Sequence, residues 1–547
     1  MVLNFLRKYT FVLLIFFLLL GLVLRLVDIE RQSLYGDELT LVYDAYSILE
    51  TGYSQTGQFL PLVFDTAGGR PPVYVYLSVP FVAVFGPTIL ATRILSILSG
   101  LGLILLVFYL GKRLLNKEIG LIAAMLVSIS PWDIHLSRGG FESHLALFLA
   151  TFGVTTLLYS REKIWLMIVS FTSFTLAMHT YSTFKLTIPI LLFSWFMFDR
   201  SLFIERNRKK IFIVALSFAI IYLSGLLIIN NAVNLGAESR FLSINILNQH
   251  DLRESIIQKV IHQRDVNLLP SYISWIFHNR YTEYTFLVGE NYLSNFSISF
   301  LFTNGDKNPR HNSAVMGELF IVEIVFIILG LTFLIKNNPS LLKLLISWIL
   351  IVPLPTALIG EPHALRNSLF LPPLILLSAT GFFYLIKIVE SNKKYWVLFI
   401  FLSLLLAQFI IFSERFFFVA PNQYSRFWAY PAKLASEFIV KNKGNVSYII
   451  VSDRLDNIEF AYPVYGKIPP SLVISQNKEK SKLNGYLFKK FDNVYIGALP
   501  MEKVEEFLNS LDGKAIYIGP IEDKFKVADS VVGRDGLRAF IFLRKNR

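Results

Sequence analysis

Long apolar runs, bounded by charges or by proline and glycine, recur from residue 9 to residue 413 and then stop. A helix needs about 20 apolar residues to cross the hydrocarbon core of a bilayer. Runs of that length predict spans at roughly 9–27, 89–111, 118–136, 142–160, 163–181, 183–199, 211–230, 314–335, 341–359, 366–387 and 394–413, eleven in all. Val73 to Phe85 is equally apolar but short for crossing, and it reads as a helix lying in the interface. Beyond residue 413 the pattern changes to that of a soluble domain. Strand-like runs (Ser447 to Ser452, Ala515 to Gly519) alternate there with helical ones (Lys433 to Lys441, Met501 to Leu511).

The expected architecture is therefore an α-helical polytopic membrane protein with about eleven transmembrane helices and a C-terminal extracytoplasmic α/β domain. The membrane domain covers 1–413, with a first outer loop at 28–90 and a large outer loop at 231–313, and the soluble domain covers 414–547. Orientation follows from the lysines and arginines between spans. With a cytoplasmic N-terminus, the loops holding Arg7 and Lys8, Lys112, Arg113 and Lys117, Arg161 and Lys163, Arg200 to Lys210, Lys336 and Lys343, and Lys387 to Lys394 all fall inside. Every one of them is basic, as the positive-inside rule requires. Counting Val73 to Phe85 as a span would invert the later loops and put these clusters outside.

Composition agrees and removes other classes. The chain of 547 residues is 54% hydrophobic and only 17% charged, too apolar for an ordinary soluble protein. Its net charge of +13 could point to nucleic acid, but its distribution is a topology signal. The first run exceeds a signal-peptide core and is followed by Arg25, Asp28 and Glu30 rather than a small-residue cleavage site, so it reads as a retained helix. The absence of cysteine excludes disulfides, thiolate catalysis and cysteine-ligated metal.

Polar chemistry collects near the outer ends of the spans, where charge is costly. Leu34-Tyr35-Gly36-Asp37-Glu38-Leu39, directly after the first span, holds two adjacent carboxylates. They are either acids favoured at a helix start or a functional pair. Arg93, at the outer start of the second span, either snorkels to headgroups or forks onto a phosphate. Trp132 to His144, with Arg138 and His144 flanking Gly139-Gly140, is either an interfacial turn or a ligand site. Gly360-Glu-Pro-His-Ala-Leu-Arg366 is a short rigid turn that is purely structural or closes a pocket with His363 and Arg366. Histidines 135, 144, 179, 311 and 363 show no zinc-helix spacing and read as polar groups satisfied at an interface.

The order of these features resembles the GT-C glycosyltransferases, in the branch of the protein O-mannosyltransferases and the lipid A aminoarabinose transferase. Asp37-Glu38 resembles the acidic motif of that branch in the first outer loop. Gly69-Arg70-Pro71-Pro72-Val73 resembles its Lys-Pro-Pro segment, and Ala91-Thr92-Arg93-Ile94-Leu95-Ser96 its Ala-Arg-Leu-Pro-Ser segment. His363 to Pro372 resembles its His-Pro-Arg-Tyr turn, although Arg70 replaces a common lysine and Pro-Arg-Tyr does not follow His363. The resemblance implies a plasma-membrane enzyme that moves a sugar from a polyprenyl-phosphate donor to a protein hydroxyl, a lipid or a cell-envelope glycan outside the cytoplasm, with inversion. By matched position, Asp37 would be the general base, Glu38 would orient the acceptor or assist through a metal, and Arg93 with Arg70 would hold the donor phosphate, with Arg138 of the Trp132 to His144 segment as a further phosphate candidate. His363, Arg366 and His144 would line the substrate pocket. A hard divalent cation, Mg²⁺ or Mn²⁺, fits oxygen ligands at Asp37 and Glu38. The implied partners are donor, acceptor and membrane lipids, with no nucleic acid. The main rival is a transporter or flippase of a lipid-linked glycan, against which stand the outward clustering of charge and the lack of a clear inverted repeat.

Overall fold

The computed structural model describes residues 1–199, scattered positions between 212 and 225, 245–525 and 528–545. The chain divides into two units. Met1–Leu26 with Ser96–Ser413 make the first, and Val27–Leu95 with Glu414–Arg547 make the second. The first outer loop belongs to the same unit as the C-terminal tail, so the units do not follow a single division of the chain at 413.

The first unit is helical. Among the described residues, four helices are long and apolar enough to cross a membrane: Ile89–Leu114, Pro339–Ala357, Ser368–Asn392 and Tyr395–Gln423. Two bent pairs, Val2–Lys8 with Thr10–Leu26 and Lys117–Ile129 with Pro131–Ser137, raise this to six. The chain is thus a multi-pass membrane protein, but the expected eleven spans are not confirmed. Trp165–Met178 and Phe184–Phe198 are apolar helices shorter than a crossing needs, and most of 211–230 lies outside the described residues.

Burial separates centre from rim. The apolar window of Ser368–Asn392 is 94% buried, against 17% for Tyr395–Gln423, so the former is the central helix and the latter presents its surface to lipid. Close helix approach is set by glycine. A β-carbon at Gly381 would overlap the Phe326 carbonyl and one at Gly330 the Leu377 carbonyl, so the Glu323–Asn337 helix packs backbone to backbone on Leu371–Asn392. Pro372 and Pro373 sit in the first turn of that helix, where a missing N–H costs nothing. Pro353 and Pro355 break the preceding helix at Ile351, as a proline inside a span should.

One local break matters for chemistry. Ser130 ends Lys117–Ile129, accepts a hydrogen bond from the Asp133 N–H (3.4 Å), and with Pro131 at the first position starts Pro131–Ser137 at a 58° angle. The bend carries Asp133 into the interior, where it is fully buried.

The second unit joins two short helices to a sheet. Gly36–Thr51 ends at Gly52, whose φ of +73° is the left-handed cap that favours glycine. A loop with two isolated bridges, Tyr53 to Phe59 and Phe64 to Arg70, leads to Val73–Phe85, the 13-residue helix expected in the interface. The tail forms a seven-stranded mixed sheet. Its strands are β1 (Tyr448–Ser452), β2 (Ser481–Leu483), β3 (Tyr486–Phe491), β4 (Val494–Gly497), β5 (Ala515–Gly519), β6 (Asp529–Val532) and β7 (Arg538–Lys545), in the order β2-β3-β4-β1-β5-β7-β6. β1 is parallel to β4 and β5, and the remaining pairs are antiparallel. Both expected strands are central, and both read as continuous β-branched or aromatic runs because two faces are covered.

Candidate active site

Asp37 and Glu38 lie in the first turn of Gly36–Thr51, and the structure gives them different environments. Glu38 is fully buried and takes the Arg93 guanidinium in a fork, Nε to Oε1 and Nη2 to Oε2, both at 2.8 Å. Its Oε2 also accepts the Tyr35 N–H at 3.4 Å, so the side chain closes the helix start as a capping box. Arg93 donates further to the carbonyls of Ile29 (3.0 Å), Gln32 (3.0 Å) and Ser33 (2.9 Å). A guanidinium has five N–H donors, and these oxygens use all of them. Arg93 therefore does not fit the phosphate-holding part expected of it, and it fixes the 29–38 segment instead.

Asp37 is partly exposed, and among the described residues no side-chain or backbone donor bonds its carboxylate. Its carbonyl accepts the Arg70 Nη2 at 2.7 Å, so a buried guanidinium sits against the backbone of the acidic turn. Two turns further along the same helix face, Asp44 is fully buried and accepts the Gln55 N–H (3.0 Å) and the Thr66 hydroxyl (2.9 Å). Burial raises its carboxyl from 3.8 to about 6, against the opposing pull of the Gln55 N–H, the Arg70 charge and Thr66.

The sign of that shift gives a first prediction. A carboxyl whose folded pKa is raised favours folding fully below about pH 4 and loses that contribution as pH rises through about 6. Asp44→Asn should therefore raise the thermal midpoint at pH 8 and leave it nearly unchanged at pH 4. The upper bound is about 3 kcal/mol from a shift of about two units. Melts of both proteins at the two pH values check it, and an equal gain at both would refute the burial account.

The first unit holds the other expected residues. Arg138 donates to the carbonyls of Leu24 (3.1 Å) and Arg25 (3.3 Å), at the C-terminal end of Thr10–Leu26, where a cation is favoured. His144 Nε2 meets Asp133 Oδ1 at 2.8 Å, and Asp133 Oδ2 pairs with Arg25, all three fully buried. Arg138 and His144 thus both make contacts that hold helices of this unit together.

His363 joins a group that histidine spacing did not reveal. Asp306, His311 and His363 place one ligand atom each within 4.8 Å of one another. His311 Nδ1 is 3.2 Å and His363 Nδ1 3.8 Å from Asp306 Oδ2, and the two rings are 4.3 Å apart. Asp306 Oδ2 also accepts the Ala364 N–H at 2.7 Å. Burial pushes the Asp306 carboxyl up, but His311, His363 and the Asn308 N–H outweigh it and hold the group at about 2. Burial, with the charges of His311 and Arg366, lowers His363 well below the ordinary histidine range, which keeps it neutral. Glu38 has both oxygens on Arg93, so the expected cation at Asp37 and Glu38 loses one ligand, and a possible metal-binding group lies here instead. No spacing rule could have found it, since its members come from two loops more than fifty residues apart.

Residues 69–229 match the dolichyl-phosphate-mannose-protein mannosyltransferase family. No curated protein sequence matches the chain. Among solved structures, ArnT from Cupriavidus metallidurans bound to undecaprenyl phosphate is similar at a TM-score of 0.55 and 11% identity, over 96% of this chain and 97% of that one. The fold is that of the GT-C glycosyltransferases. The Archaeoglobus fulgidus oligosaccharyltransferase shares it. With an inhibitory peptide and a dolichol-phosphate, it matches at a TM-score of 0.51 and 14% identity, over 94% of this chain and 70% of that one. Tethered to an acceptor peptide with the NVT sequon, it matches at 0.51 and 15% identity, over 84% of this chain, which there spans 64% of the oligosaccharyltransferase. At such identities the likeness is one of fold. The GT-C fold agrees with the expected class.

Proposed function

We propose that this chain is an integral-membrane glycosyltransferase that moves a sugar from a polyprenyl-phosphate donor to a hydroxyl on a protein, lipid or cell-envelope glycan at the extracytoplasmic face. The observation that carries the reading is the Asp37 carboxylate, reachable from solvent and unbonded among the described residues, on a backbone fixed by two buried arginines. A general base needs that freedom to take a proton and that fixity to meet it. The mannosyltransferase match and the lipid phosphates bound by the two structural neighbours support a lipid-linked donor.

In the proposed reaction Asp37 takes the acceptor hydroxyl proton as the acceptor oxygen attacks the anomeric carbon. The bond from that carbon to the phosphate oxygen breaks, the anomeric centre inverts, and polyprenyl phosphate leaves. Arg70, whose charge lies against the acidic turn, is assigned to the growing phosphate charge. Glu38 and Arg93 hold the turn. Purified protein in bilayers with labelled polyprenyl-phosphate sugars and membrane extract tests the reading: transfer of label supports it, while translocation of intact donor without transfer would favour a flippase.

Asp306, His311 and His363 fit a resident cation, since His363 Nδ1 is buried, neutral and without a hydrogen bond, facing a carboxylate and a second imidazole. Two imidazoles with one carboxylate suit a zinc-class ion better than Mg²⁺, which prefers oxygen ligands. Bound there, such an ion would supply positive charge and tie the Asp306 loop to the His363 turn. The purified protein is expected to carry about one equivalent of zinc-class metal by elemental analysis, and His363→Ala to carry much less while remaining folded. An equal content in both would remove the site.

A further inference from the structure

We infer that the C-terminal α/β half of the second unit is a positioning part of the transfer site, acting through Asn457 and Tyr465 on the Ser33–Gly36 segment that sets Asp37; this rests on Asp37 being the base. No group among the described residues holds the Asp37 carboxylate, so its place is decided by backbone alone. That backbone is gripped by the tail. The Leu34 N–H donates to the Tyr465 hydroxyl at 3.0 Å, and the Ser33 hydroxyl donates to the Trp428 carbonyl at 2.5 Å. The Trp428 ring meets Tyr35 edge-on at 5.4 Å and lies 5.3 Å from the Arg93 guanidinium. On the next turns of the same helix, Tyr43 donates to the Ile468 carbonyl at 2.7 Å.

Gly36 lies against the Asn457 side chain. A β-carbon there would overlap Asn457 Oδ1, so any larger residue obliges the Asn457 amide to turn away or the turn to shift. Asn457 itself is held at φ 61°, a left-handed conformation, as the residue that starts the Ile458–Tyr465 helix. The strained residue and the glycine face one another immediately before the base. A small displacement here moves the carboxylate without touching it, and about 1 Å of misplacement can cost roughly 10²-fold in rate.

A double-mutant cycle on the full-length protein in bilayers tests this. Gly36→Ala should lower kcat at least about tenfold with the KM for the labelled donor little changed. Asn457→Gly, which removes the obstructing oxygen and tolerates the positive φ, should return most of that loss when combined with it. Tyr465→Phe, which deletes only the hydroxyl, should lower kcat several-fold with a KM near wild type. Equal losses from Gly36→Ala in both Asn457 backgrounds, or none, would overturn the positioning role. If Gly36→Ala fails to fold, an unchanged kcat in Tyr465→Phe overturns it instead. Retained transfer by Asp37→Asn would remove the base reading itself, whereas a dead Asp37→Asn with no Gly36–Asn457 coupling removes only the positioning role.

Discussion

Asp37→Asn is expected to abolish transfer, with a fall of about 10²–10⁴-fold, the usual contribution of a positioned base, and to leave the thermal midpoint and membrane insertion unchanged. Asparagine keeps the shape of the side chain but loses the negative charge and with it the capacity to take a proton. Stability should not respond, because the carboxylate is partly exposed and carries no protein hydrogen bond among the described residues. The two contacts of the residue that do hold structure, from Arg70 Nη2 and the Thr40 hydroxyl, go to its carbonyl and survive the change. Steady-state transfer from a labelled polyprenyl-phosphate sugar, beside a melt of the same preparation, measures both halves. Full activity in the variant would sink the assignment of the base. A second outcome separates chemistry from geometry: Asp37→Glu restores a carboxylate one methylene further out, so partial activity there, with none in Asp37→Asn, identifies proton transfer as the lost step.

The acidic turn shows how far the residues alone could be read. Two adjacent acids after the first span marked the candidate site, because charge beside a membrane segment is costly and calls for a reason. Their division of labour was hidden. Which acid faces solvent depends on one turn of helix, and which arginine answers depends on a contact between positions 38 and 93 that no local pattern encodes. Arg93 looked like a phosphate ligand because its motif sits at headgroup depth; the carbonyls of Ile29, Gln32 and Ser33 that saturate it are invisible in a string of side chains. Apolar periodicity marked helices that the structure contains, Val73–Phe85 among them, but it could not show where a run would be short, as in Trp165–Met178, or bent, as in the pair broken at Ser130. The alternation in the tail gave an α/β domain, and the packing of that domain with the first outer loop came only from the tertiary structure.

Breaking the Glu38–Arg93 fork should be strongly destabilising. Both side chains are fully buried, and removing one partner of such a pair leaves an uncompensated charge, at about 3–5 kcal/mol. The two halves are not equivalent. Glu38→Leu leaves a guanidinium that still donates to three carbonyls, whereas Arg93→Leu leaves a buried carboxylate whose charge the Tyr35 N–H does not balance, together with those three carbonyls. Arg93→Leu should therefore be the more damaging. Combining Glu38→Leu with Arg93→Leu should recover part of the summed loss, because the charges then disappear together. Arg93→Lys should not rescue, since three donors on a point charge cannot replace five in a planar fork. Denaturation in detergent of the two singles and the double measures the coupling. The competing reading, in which Arg93 serves the donor phosphate, predicts the opposite pattern: Arg93→Lys would keep the fold and raise the KM for the lipid donor. A stable Arg93→Lys protein with weakened donor binding would therefore return Arg93 to the phosphate and leave Glu38 in need of another explanation.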